Sequence, residues 1–179
     1  MTNAIIEMPD TLQTTATSSL SVTALADFHE GLAMMEAGQG RKAVAALSRC
    51  LEQAPTFAAG HIWLGIAHAV TCDVYPAIDN LEKATELAPD NFAAHYTLAK
   101  YYFTLRLVNK GYDSAEHALA CATKSEERIA LSQLLQKERE RERSGMARPL
   151  FNRKFGIGFG LIAASGIAAL VCSVLLHLK

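Results

Sequence analysis

The sequence has no Cys-x-x-Cys pair, no Asn-x-Ser/Thr triplet and no Gly-x-x-x-x-Gly-Lys-Ser/Thr loop. The cysteines Cys50, Cys72, Cys121 and Cys172 stand far apart, which argues against a zinc ribbon or local redox couple and fits small buried thiols in a reducing compartment. Charge of one sign is missing too: 17 basic against 18 acidic residues are too even for a dedicated nucleic-acid surface. The opening MTNAIIEMPDTLQTTATSSLS lacks a basic start followed by a sustained apolar run, so no cleavable secretory signal is expected. Strand-type alternation is absent, and the Gly-x-Gly steps at Gly38 and Gly156 follow no strand, which rules them out as nucleotide loops.

What is present is helical spacing. Residues 1–21 are rich in Thr and Ser, with Ile5, Ile6 and Met8 the apolar exceptions, and read as a flexible arm. From Val22 onward Ala, Leu and Met recur at helical intervals, punctuated by Gly or Pro. Laid against itself the chain repeats every 34 residues: Gly31 falls on Gly65, Ala43 on Ala77, Leu47 on Leu81, Cys50 on Ala84 and Pro55 on Pro89. A weaker third copy begins at Phe92. Small residues sit where paired helices cross closely, and each proline resets the chain for the next hairpin.

The stretch AGHIWLGIAHAVTCDVYPAIDNLEKATELAPDN resembles a tetratricopeptide repeat (TPR), with Leu64, Gly65, Ala77, Leu81, Ala84 and Pro89 at the family's signature places. The resemblance covers Ala24 to about Thr123. It implies an all-α solenoid of about three helical hairpins over residues 22–124. The first unit departs from the pattern at Asp27 and Glu30, where the family prefers an aromatic and a leucine. In the third, Gly111 replaces the usual Ala and no proline follows, so its second helix is expected to be shifted or to run on into the next.

Residues 125–144 read as a charged helix capping the array, because a solenoid's last repeat otherwise leaves its packing face in water. A basic linker, 145–154, leads to 155–178, which contains no Asp, Glu, Lys or Arg. At about 1.5 Å per residue, such a helix is long enough to cross a hydrocarbon core of roughly 30 Å. Arg143, Arg148, Arg153 and Lys154 precede the segment and only Lys179 follows it, which predicts a single-pass tail anchor with the repeats cytoplasmic. Gly156, Gly160, Ala164 and Ala168 share one helical face, a candidate dimer seam in the bilayer.

The resemblance also implies a concave groove lined by the first helix of each pair: Leu25, Phe28, Leu32 and Met35, then Ile62, Ile66 and Val70, then Tyr96, Lys100 and Phe103. That lining is apolar. TPR domains that hold acidic chaperone tails use Lys and Asn at the places of Phe28 and Leu32, so the expected partner is an amphipathic helix or extended apolar segment. The arm with Ile5, Ile6 and Met8 is an internal candidate for the same groove. No catalytic set, cofactor or metal site is expected, since His61, His68 and His95 resemble packing positions without accompanying carboxylates. The resulting expectation is a non-enzymatic membrane-anchored adaptor binding a protein or peptide. The alternative is a structural or assembly subunit of a membrane complex.

Overall fold

The computed structural model describes residues 20–146. Among them every regular element is a helix: α1 (Val22–Glu36), α2 (Gly40–Gln53), α3 (Ala58–Val70), α4 (Val74–Leu87), α5 (Phe92–Thr104), α6 (Val108–Cys121) and α7 (Ser125–Met146). The chain divides into two compact units, Met1–Gln136 and Lys137–Lys179. The three hairpins α1–α2, α3–α4 and α5–α6 and the first half of α7 belong to the former. In the latter, the described part of α7 carries an ion pair between Arg141 and the buried Glu138.

Each hairpin turns on one residue in the left-handed region: Gly38 (φ 70°), Cys72 (φ 65°) and Arg106 (φ 63°). The same two backbone bonds close all three turns. In the second, Cys72 N–H donates to Ala69 O at 3.3 Å and Asp73 N–H to His68 O at 2.9 Å, the double closure typical of a helix C-terminus. Only Gly38 adopts this geometry without a Cβ clash.

Close crossing within the hairpins follows from the small residues. A Cβ added to Gly31 would lie 2.6 Å from Leu47, and one added to Gly65 would lie 2.7 Å from Leu81. The third hairpin reaches the same closeness differently. Ala99 and Ala115 stand where Gly65 and Leu81 stand in the second, and the space opened by Gly111 is filled by the Phe103 ring, 2.6 Å from a Cβ built there.

The expected displacement of α6 does not occur. α6 ends at Cys121, in register with the ends of α2 at Gln53 and α4 at Leu87. Where Pro55 and Pro89 interrupt the earlier junctions, Glu127 and Arg128 act at the third. The Glu127 carboxylate accepts from Thr123 N–H at 3.0 Å and Lys124 N–H at 3.1 Å, and the Arg128 guanidinium donates to Ala122 O. The Glu127 bonds satisfy amides at the approach to α7, and the Arg128 bonds satisfy the carbonyl of the residue that ends α6.

Two core clusters result. The first joins α1 to α4 with Ala94, Leu98, Tyr101 and Tyr102 of α5. The second joins Phe92, Tyr96, Ala99 and Phe103 of α5 to Ala115 and Ala118 of α6 and Leu131 of α7, with Leu134 and Leu135 packed alongside. Among the described residues no helix is long and apolar enough to cross a membrane. The predicted span 155–178 with Gly156, Gly160, Ala164 and Ala168, most of the basic linker, and Ile5, Ile6 and Met8 lie outside the described residues.

Candidate functional site: an apolar strip along α1 and α3

Successive residues of an α-helix are about 100° apart, so the direction of each side chain follows from one fixed contact. On α3 that contact is Gly65, which faces Leu81 of α4. Measured from there, Ile62 lies about 60° round the helix, Ile66 about 100°, Val70 about 140° and Trp63 about 160°. The same reckoning from Gly31, against Leu47 of α2, puts Met35 at about 40°, Phe28 at about 60°, Leu32 at about 100° and Leu25 at about 120°.

Burial follows this ordering and corrects the expected groove. Phe28 and Met35 are each 4 % exposed, Ile62 is 0 %, Ile66 1 %, Tyr96 8 % and Phe103 1 %. These residues do not line an open trough. They lie within about 100° of the partner helix and are taken up by the core. Phe28 meets Phe57 edge-on at 5.0 Å, Tyr96 stacks on Phe92 at 5.3 Å, and Phe103 meets Tyr112 edge-on at 5.1 Å. Between α3 and α5 the remaining cavity is about 10 Å³, lined by Ile66, Ala69, Leu81, Thr97, Lys100, Tyr101 and Thr104. That is room for one water at most.

Leu25, Leu32, Val70 and Lys100 remain half-buried. Trp63, which the sequence reading did not single out, joins them, half-buried and packed on the first core cluster. It is the only tryptophan in the chain. Its signal was its offset of two residues from Gly65, which turns it nearly opposite α4. Leu25, Leu32, Trp63 and Val70 thus form an apolar strip along α1 and α3, with the exposed His29 and Glu36 beside it.

The histidines serve the hairpins. His61 lies 3.0 Å from Asn80 Oδ1 and 2.9 Å from Pro55 O, and His95 repeats the second contact at Pro89 O, 2.8 Å. The place of His61 and His95 is held in the first hairpin by Asp27, which pairs with Arg49 at 3.0 Å and accepts from Gln53. His95 and His117 stack at 5.4 Å with 28° between their planes. Ring nitrogens present their lone pairs in the ring plane, so stacked rings do not converge on one ion. Among the described residues no group of three His, Cys, Asp or Glu could hold a metal ion.

A larger cleft of about 480 Å³ lies between residues 88–93 and 121–127. Two of its polar side chains are already used: Asn91 Oδ1 accepts from Ala93 and Ala94 N–H, and Glu127 caps α7. Cys121 donates to Pro89 O at 3.4 Å, and burial, with Asp90 nearby, pushes its thiol up, away from the nucleophilic thiolate.

A solenoid of three helical hairpins in strict register, followed by a helix packed on the last of them, is the fold of TPR domains. Solved structures agree. The TPR2B domain of yeast Sti1, determined as a complex with pHsp70, matches with a TM-score of 0.63 at 20% identity, covering 68% of this chain and 99% of that one. The Sgt2 TPR domain from Aspergillus fumigatus matches at 0.60 and 17%, over 76% of this chain and 88% of that one. The first TPR of Spaghetti (RPAP3), bound to the HSP90 peptide SRMEEVD, matches at 0.56 and 16%, over 64% and 92%. No protein-family model matches the sequence, and no curated protein does.

Proposed function

We propose that this chain is a non-enzymatic adaptor, anchored in a membrane by residues 155–178 with its repeats in the cytoplasm, that binds a protein partner along the α1–α3 strip. The observation that carries this reading is the strip itself: Leu25, Leu32, Trp63 and Val70 are apolar and half-buried, and Leu25, Trp63 and Val70 turn more than about 100° from the helices that pair with α1 and α3. A Leu-sized anchor buried on such a surface contributes roughly 1.5–3 kcal/mol before ordering costs. The chemistry differs from that of the structural neighbours named for chaperone peptides. Phe28 is sealed in the core and Leu32 is apolar, so neither supplies the Lys or Asn of a clamp for an acidic tail. An amphipathic helix or extended apolar segment fits instead.

The test is photocrosslinking in native membranes from a reactive residue placed at Trp63 or Leu32 of the full chain, with the exposed Tyr75 as control. Adducts with one protein from the strip and not from position 75 are expected. Their absence from both strip positions overturns the proposal. Adducts arising only within 155–178 favour instead a subunit that packs laterally, as a dimer or in a larger complex, through Gly156, Gly160, Ala164 and Ala168. Protease protection settles the orientation: digestion of the tail with sparing of the repeats reverses it.

A further inference from the structure

We propose that the strip has an occupant within the same chain, the arm formed by residues 1–19, which lays Ile5, Ile6 and Met8 across Leu25, Leu32 and Trp63. This rests on the reading of the strip as the binding face and adds that a partner must displace the arm.

Leu20 is half-buried against the core cluster that contains Phe28 and Ile62. Ser21 caps α1 by accepting from Ala24 N–H at 3.1 Å and donates to Gln53 at the end of α2, and Thr23 donates to Gln53 as well. The chain is therefore tied down at the end of the first hairpin where α1 and α3 both start. Leu25 and Trp63 lie within the first two turns of those helices.

Length permits the contact. Met8 precedes Leu20 by 12 residues, which span up to about 40 Å when extended. The strip is shorter: neighbouring helix axes lie roughly 8–10 Å apart, and Trp63 to Val70 is a rise of about 10 Å. Chemistry matches as well. The arm is otherwise polar, and its one close-set apolar group, Ile5, Ile6 and Met8, suits a strip exposing a few apolar side chains. Tethering makes the encounter intramolecular, so weak contacts suffice at the high effective concentration of a short linker.

Trp63, unique in the chain, reports on its own surroundings without any partner. In the full chain, the triple substitution Ile5→Asp, Ile6→Asp and Met8→Asp is expected to shift Trp63 emission to the red and raise its quenching by acrylamide severalfold. Far-ultraviolet circular dichroism should stay unchanged, because the helices of residues 22–146 are held by their own core clusters. A synthetic peptide of residues 1–19 added to the chain lacking 1–18 should reverse both changes saturably. Identical emission and quenching in the substituted and original chains overturn the proposal. So does a Trp63 signal that depends on protein concentration and not on the arm, which assigns the cover to a second copy. Photocrosslinks from Trp63 that persist when the arm has no effect leave the binding face standing and remove only its internal occupant.

Discussion

Gly111 of α6 lies under the Phe103 ring so closely that a Cβ at 111 would come within 2.6 Å of two ring carbons. A large residue on the first helix and a vacant position on the second reverse the Gly65–Leu81 arrangement of the preceding hairpin.

Gly111→Ala is therefore expected to overpack the third hairpin and cost about 1–3 kcal/mol, read from the denaturant midpoint. Phe103→Leu in the same chain should recover part of that loss, giving a non-zero coupling in a double-mutant cycle. Strictly additive losses would show that the two positions do not share this space.

The turn residues make a prediction of opposite sign. Cys72→Gly and Arg106→Gly relieve left-handed backbone at exposed positions, and each is expected to raise stability by about 0.5–1 kcal/mol. Gly38→Ala should lower it by a similar amount. Thermal melts of the three variants check the pattern, and destabilisation by both glycine substitutions would refute it.

Glu127→Ala removes the acceptor for two amides at the start of α7 and is expected to cost about 1–2 kcal/mol. The loss should be local, appearing first as faster hydrogen exchange of the Thr123 and Lys124 amides and of the first turn of α7. Unchanged exchange there would mean that packing of Leu131 alone sets the start of the helix.

Alkaline pH should weaken the fold. Burial, then the hydrogen bond to Glu82 and its charge, raises the Tyr102 phenol, and burial raises Tyr101 and the Cys50 thiol. Each raised group keeps its proton more tightly folded than unfolded. Its stabilising effect is complete below the unfolded value, about 8.5 for Cys and about 10 for Tyr, and is lost as pH rises beyond it. The melting temperature should thus fall from about pH 9 upward, and Tyr102→Phe should make the decline shallower. A melting temperature that climbs through this range contradicts the assignment.

The repeat was legible because its period is written in small residues and prolines, and those positions act locally: Gly31 and Gly65 admit Leu47 and Leu81, and Pro55 and Pro89 follow the ends of α2 and α4. The third hairpin misled where its own means were read as defects. Gly111 is a socket for Phe103, and Glu127 with Arg128 replaces the proline. The exposure expected of the groove residues differs from their burial for a geometric reason. Positions such as Ile62 and Ile66 share α3 with Trp63, but they turn toward neighbouring helices and are consumed by packing. Hydrophobicity alone does not separate an inward apolar residue from an accessible one. On α3 the angle from Gly65 adds what is missing, setting Trp63 at about 160° against Ile62 at about 60° and Ile66 at about 100°.

Both core clusters draw on α5, one along Leu98 and Tyr102, the other along Ala99 and Phe103. This helix is a party wall. Were the cap and α6 to peel away, its far flank would be stripped while its near flank stayed clad, leaving two hairpins and one bared helix. Such a state would leave Trp63 in its place and present Phe92, Tyr96 and Phe103 to solvent, an adhesive surface that a cell would have reason to keep closed.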